Sequence, residues 1–131
     1  MRNTTAGMLL NRSLKNVLLV DDEPETCQLI SSLLKRAGAE CVLAHSLAEG
    51  RAALAKGGYD AVFFDVNLPD GLGYELISEI KVGASDTLCV AISAMDSEQG
   101  RAVRAGADIF IPKPFDRETL FSCIRSLGFH T

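Results

Sequence analysis

The sequence predicts an α/β fold: a five-stranded parallel sheet, doubly wound as (βα)5, with helices on both faces. Five short runs rich in Val, Leu, Ile and Phe are each too short for a helix and apolar on both sides, as expected of parallel strands buried between helices. Amphipathic stretches with helical spacing separate them. The length of 131 residues suits one compact domain, large enough to need no disulfide or metal staple.

The first run, Val17–Val20, leads into a helix in which Cys27, Ile30, Leu34 and Ala37 share a face and Gly38 supplies the stop. After the second run, Cys41–Ala44, Ser46 is placed to cap a helix that continues to Lys56, where Gly57-Gly58 ends it. The third run, Ala61–Phe64, precedes a helix carrying Leu72, Leu76, Ile77 and Ile80. Leu88–Ile92 is followed by the weakest helix, around Ser97–Ala105, with Gly100 inside it and few large apolar residues. Ile109–Ile111 precedes a last helix with Leu120, Cys123, Ile124 and Leu127 inward. Residues 1–15 read as a loosely attached extension, 16–128 as the domain and 129–131 as a short tail. Right-handed crossovers between successive strands place the helices on both faces.

Composition excludes several classes. With 47% hydrophobic and 23% charged residues the chain is neither disordered nor membrane-like, and no apolar stretch approaches the length that spans a bilayer. A net charge of −4 argues against direct nucleic-acid binding. Cys27, Cys41, Cys89 and Cys123 have no ligand spacing, and only His45 and His130 could join them, so free thiols in a reducing cytoplasm are expected rather than a zinc site. Residues 1–15 lack the apolar core of a signal peptide.

In doubly wound sheets ligands bind beyond the carboxyl ends of the strands. There the chain carries Asp21 and Asp22 after the first run, Asp65 after the third, Ser93 after the fourth and Lys113 after the fifth. Each residue alone has a plainer explanation. Asp22, with Pro24 and Glu25, fits a helix start; Asp65 fits a turn before Pro69; Ser93 with Asp96 fits a capping box; Lys113 between two prolines fits a solvated side chain. What these explanations leave unaccounted for is the convergence of all five on one sheet edge. Two carboxylates about 4 Å apart repel by roughly 4 kcal/mol at an effective dielectric near 20. A hard divalent cation such as Mg²⁺ relieves that repulsion through oxygen ligands and completes its shell with phosphate oxygens, while Lys113 supplies a point charge for the same group. A carboxylate can then act as a nucleophile toward phosphorus.

Four segments in order carry a resemblance: VLLVDDEPE at 17–25, VFFDVNLPDGLG at 62–73, AISAM at 91–95 and AGADIFIPKPF at 105–115. Together they resemble the receiver domain of bacterial two-component response regulators, over about residues 16–128, and so imply the flavodoxin-like arrangement of the sheet. The resemblance implies that Asp65 is the phosphoacceptor, taking a phosphoryl group from a histidine kinase or histidine phosphotransfer protein. It implies that Asp22 binds Mg²⁺ directly, that Asp21 holds it largely through water, and that the Asn67 carbonyl completes the protein's share. Ser93 and Lys113 would contact the phosphoryl oxygens. A switch is implied too: Ser93 swings toward the phosphate, Phe110 turns inward, and the fourth helix, fifth strand and fifth helix offer an altered surface to a downstream effector. Without that implication Phe110 reads as core.

Three departures stand out. Phe110 occupies the place of a frequent tyrosine; Leu72 stands where an Asp or Ser commonly caps the third helix; and the 20 residues from Ser93 to Lys113 are fewer than usual, the shortening falling at the fourth helix. Other classes fit less well. A haloacid-dehalogenase-type hydrolase would need its D-x-D after the first strand, and a nucleotide- or flavin-binding module its Gly-rich loop. A receiver-like module that is never phosphorylated would not need every reacting residue. The expected function is a Mg²⁺-dependent phosphorylatable switch that turns over no external metabolite, as a monomer or a phosphorylation-dependent dimer. It is either a stand-alone receiver, favoured by the lack of output sequence after residue 128, or the receiver part of a longer protein.

Overall fold

The computed structural model of the chain describes residues 12–81, 86–126 and 129–130. Its centre is a five-stranded parallel sheet of β1 (Asn16–Val20), β2 (Glu40–Ala44), β3 (Ala61–Asp65), β4 (Leu88–Ser93) and β5 (Ile109–Pro112). The spatial order is β2-β1-β3-β4-β5, so the strand order reverses at β1, between β2 and β3. Val20 pairs with Phe64 and Asp65 with Ile92, which aligns the carboxyl ends of the three inner strands.

Successive side chains of a strand point to opposite faces, and the core divides accordingly. Leu19, Phe63, Val90 and Ile111 point to one side, against Ile30 and Leu34 of α1 (Pro24–Arg36) and Leu120 and Ile124 of α5 (Arg117–Arg125). Val20, Val62, Phe64 and Cys89 point to the other, against Leu47 of α2 (Leu47–Leu54), Leu76 and Ile77 of α3 (Glu75–Ile80) and Ala102 of α4 (Gln99–Ala105). β3 and β4 are buried at every residue, as double-sided cover requires. The edge strand β2 departs from the expected pattern: its Val42 and Leu43 are 46% and 42% exposed, because only one neighbour strand flanks it.

Local chemistry explains most boundaries. α1 opens with Pro24 in its first turn and Glu25 beside it, carries Lys35 and Arg36 in its last turn, and stops where Gly38 takes φ +94°. The Ser46 hydroxyl caps α2 by accepting from the Glu49 amide at 3.1 Å, but the regular helix stops at Leu54, two residues before Lys56, in tight turns that run to Gly57. α3 begins only at Glu75 and has no side-chain cap, as the Leu72 departure implies; Leu72 instead pairs with Asn67 in a small hairpin, Asn67–Leu68 with Gly71–Leu72. A 3-10 turn, Asp96–Glu98, precedes the seven residues of α4. Asp116 caps α5 through the Thr119 amide; Leu127, expected on its inner face, lies outside the described residues.

The described residues ahead of β1 also join the fold. Arg12–Ser13 pairs in parallel with Phe129–His130, Leu14 is buried in the core beneath α1 and α5, and the Lys15 and Asn16 amides donate to Asp60 Oδ2. Residues 12–15 are thus held by one apolar anchor and a set of backbone bonds, and Phe129–His130 forms a short strand; residues 1–11 and 131 lie outside the described part.

Candidate functional site

Asp21 leaves β1 with its amide bonded to the Ala44 carbonyl and its side chain fully buried. Oδ1 accepts from the Glu23 amide at 2.8 Å. Oδ2 has no hydrogen-bond partner of sound geometry among the described residues; the Lys113 ammonium lies 3.1 Å from it. Asp65 ends β3, nearly as buried, and repeats the arrangement. Its Oδ1 accepts from the Asn67 amide at 2.9 Å and its Oδ2 faces Lys113 Nζ at 3.1 Å. Asp22 is exposed beside them, and one carboxylate oxygen each from Asp21, Asp22 and Asp65 falls within 4.8 Å of the others.

Lys113 arrives from the end of β5, where its amide donates to the Ser93 carbonyl at 2.8 Å and its bond to Pro114 is cis. Its ammonium also meets Glu23 Oε1. Partial burial opposes its charge, but the hydrogen bonds it donates to Glu23 and Asp65, with the Asp21 carboxylate beside it, prevail and raise its pKa above the ordinary lysine value. For Asp21 the balance is reversed: burial outweighs the Glu23 amide and Lys113, and the pKa is raised. One ammonium thus faces three acids, and the most buried of them keeps an oxygen that nothing else satisfies.

Ser93 is buried at the end of β4, its hydroxyl accepting from the Met95 amide at 3.0 Å. That bond closes a local turn at the strand end. Phe110 lies two residues before Pro112, the register partner of Ser93, and packs half-buried against the cluster that includes Ala102. Asn67 is exposed, with its amide on Asp65. The structure therefore brings Asp21, Asp22, Asp65 and Lys113 together, sets Ser93 on the neighbouring strand end, and keeps Phe110 on the side of α4. A groove of about 380 Å³ opens beside them between α1 and the β5–α5 loop, lined by Glu23, Leu29, Ala94, Lys113 and Phe115 among others.

Sequence reasoning missed three contributors. Glu23 was visible as a third consecutive acid, but its contact with Lys113 depends on bringing residues 23 and 113 together. Gly73 packs so closely that a Cβ there would lie 2.2 Å from the Asp65 carbonyl oxygen and 2.5 Å from the Phe64 ring. Asp70, legible only as a turn residue before Gly71, accepts from the Leu47 and Ala48 amides at 2.7 and 3.0 Å, capping α2 from the loop that follows Asp65.

The family model described as "Response regulator receiver domain" matches residues 17–125. The chain belongs to the response-regulator receiver family. Among curated proteins, this receiver domain is 31% identical to the uncharacterized transcriptional regulatory protein YkoG of Bacillus subtilis over 113 residues, covering 85% of the chain and 50% of YkoG. It is 34% identical to the transcriptional regulatory protein TrcR of Mycobacterium tuberculosis, covering 85% of the chain and 44% of TrcR. The domain thus spans about half the length of these relatives. Chemotaxis response regulator CheY4 of Vibrio cholerae superposes with a TM-score of 0.79 at 26% identity, over 88% of this chain and 99% of that one. The response regulator TrrA of Thermotoga maritima, solved in complex with Mg²⁺-BeF, gives 0.77 at 27% identity, over 87% and 99%. The doubly wound fold is that of these receivers.

The acidic pocket fits the metal found in that complex. Among the described residues it groups the carboxylate oxygens of Asp21, Asp22 and Asp65, and Asp21 Oδ2 is buried without a hydrogen-bond partner, which is the donor set a hard cation such as Mg²⁺ takes. Among the described residues no helix is long and apolar enough to cross a membrane.

Proposed function

We propose that this receiver domain is a Mg²⁺-dependent phosphorylation switch whose phosphoacceptor is Asp65. The observation that carries the reading is the sharing of Lys113 by Asp21 Oδ2 and Asp65 Oδ2, each at 3.1 Å, with the Asp21 oxygen otherwise unsatisfied. Asp21, Asp22, Asp65 and the backbone carbonyl of Asn67 would hold Mg²⁺, which when bound supplies positive charge to the phosphoryl oxygens.

The donor is the phosphohistidine of a histidine kinase or phosphotransfer protein. Asp65 Oδ1 is engaged by the Asn67 amide, so Oδ2 is the nucleophile: its P–O bond forms as the P–N bond breaks, and the imidazole nitrogen keeps that electron pair. Lys113 remains charged across the neutral range and moves from Asp65 to a phosphoryl oxygen. The Ser93 hydroxyl leaves the Met95 amide to donate to another, and Phe110 follows into the vacated space. The surface of α4, β5 and α5 then differs for a downstream effector, with phosphorylation-dependent dimerisation as one form of output. The domain works in the cytoplasm and catalyses only its own phosphorylation and dephosphorylation, alone or as the receiver part of a longer regulator.

Incubation with acetyl phosphate and Mg²⁺, followed by intact mass, tests this. One phosphoryl adduct is expected, not formed when Mg²⁺ is omitted and absent from Asp65→Asn. An adduct that persists in Asp65→Asn overturns the assignment of the acceptor.

A further inference from the structure

Tyr74 stands at the end of the loop that begins with Asp65, immediately before α3. Its hydroxyl donates to Glu98 Oε1 at 2.7 Å and lies 3.3 Å from the Glu98 carbonyl oxygen. Its ring meets Phe64, the neighbour of Asp65, edge to face with centroids 6.4 Å apart. Arg101 of α4 sits over the same ring, 5.3 Å from its centroid, and its Nη1 is 3.9 Å from Glu98 Oε1. One side chain therefore touches both the phosphoacceptor strand and the segment that leads into α4.

The helix that follows Glu98 buries little side-chain surface. Glu98 precedes the first residue of α4, where a side chain ordinarily caps a helix, but it makes no capping bond and turns its carboxylate to Tyr74. Of the seven residues of α4 only Ala102 is buried, and Val103 is 63% exposed. So short a helix with so small an apolar face owes its position to tertiary bonds. A hydrogen bond to a carboxylate is among the stronger of these, and burial together with Glu98 pushes the Tyr74 hydroxyl up to about 12, so it stays a donor at neutral pH.

We infer that Tyr74 is a positioning residue that latches the Asp96–Ala105 segment to the phosphoacceptor loop in the unphosphorylated protein, and that the latch opens when the switch is thrown. The inference rests on the phosphorylation reading. Glu98 follows Ser93 by five residues, so drawing the chain after β4 toward Asp65 pulls Glu98 off Tyr74. Whatever the latch contributes to the resting arrangement opposes the phosphorylated one by the same amount.

Tyr74→Phe removes only the hydroxyl and keeps both ring contacts. In the unphosphorylated variant, amide exchange across residues 97–105 is expected to quicken about fivefold, the scale of one such hydrogen bond, while α1 amides keep their rates. Uptake of phosphate from acetyl phosphate should quicken by a similar or smaller factor. Glu98→Ala should reproduce both effects, Glu98→Gln, whose amide oxygen still accepts, should restore slow exchange, and the double variant Tyr74→Phe/Glu98→Ala should exceed neither single one. Unchanged exchange at 97–105, or a fully additive double variant, overturns the latch whatever the protein does with acetyl phosphate. Faster exchange in a protein that takes up no phosphoryl group supports the latch and overturns the phosphorylation reading.

Discussion

Asp21 and Asp65 use their carboxylates in the same way from adjacent strands. Each holds the amide two residues downstream with Oδ1, Glu23 in one case and Asn67 in the other, and each turns Oδ2 to Lys113 Nζ at 3.1 Å. The Asx-type bonds fix both rotamers without a ligand, so two acids that would otherwise repel are aimed at one point before any metal arrives. Preorganisation of this kind is what the proposed in-line transfer would need.

Asp21→Asn should stabilise the metal-free domain. Burial raises the Asp21 pKa above 3.8, so the folded chain binds that proton more tightly than the unfolded one. The resulting stability is fully present below pH 3.8 and is lost as pH rises through the higher folded value, leaving a penalty at pH 7. The amide keeps the bond to the Glu23 amide and removes the buried charge, a gain on the order of 1 kcal/mol. Melting at pH 7 in a chelator should show the variant higher, with Mg²⁺ narrowing or reversing the gap by binding wild type better. A variant that melts below wild type without Mg²⁺ would sink the claim.

Lys113→Met should do the opposite. It leaves Asp21 and Asp65 buried without their shared counter-charge, costing about 3 kcal/mol at pH 7 by urea titration. In wild type this contribution is fully present below pH 10.5 and lost only as pH rises through the higher folded value. Adduct formation from acetyl phosphate should slow about 100-fold, the scale of losing one preorganised charge at a developing oxyanion.

Gly73→Ala should damage both fold and site. The new methyl would meet the Asp65 carbonyl oxygen at 2.2 Å and the Phe64 ring at 2.5 Å, and neither can retreat from a central strand. A loss of about 2 kcal/mol in urea and a slower adduct are expected. Wild-type stability would show that the loop has room to shift.

Asp70→Ala should lower the melting temperature at pH 7 by stripping two amide bonds from the start of α2. Those bonds, chiefly from Leu47 and then Ala48, lower the Asp70 pKa below 3.8, so its stabilising effect is present above pH 3.8 and fades as pH falls through the folded value. The melting difference between wild type and variant should shrink over the same acid range. A difference that is constant with pH would assign the effect to packing instead.

The local pattern of the chain was enough to place the five core strands and five α-helices of the described residues, because hydrophobic period and turn chemistry are short-range properties. It also placed Asp21, Asp22, Asp65, Ser93 and Lys113 at strand ends, since a parallel sheet puts every carboxyl end on one edge. Departures arose where distant residues supply the missing partner. Leu14 is held by a core that α1 and α5 build together, and the strand at Arg12–Ser13 exists only because Phe129–His130 lies beside it. β2 reads as apolar as its neighbours, yet its place at the edge leaves Val42 and Leu43 in solvent.

The sequence alone thus determined which polar residues stand at the carboxyl ends of the strands, because strand order and side-chain type are written locally. Only the tertiary structure decided how they are used. It decided that Lys113 is shared among three carboxylates, that Asp21 keeps one buried oxygen unsatisfied, that Asp70 caps a helix 23 residues away, and that Tyr74 reaches Glu98 rather than solvent. Each of these depends on distances between residues far apart in the chain, which folding fixes and no local pattern encodes.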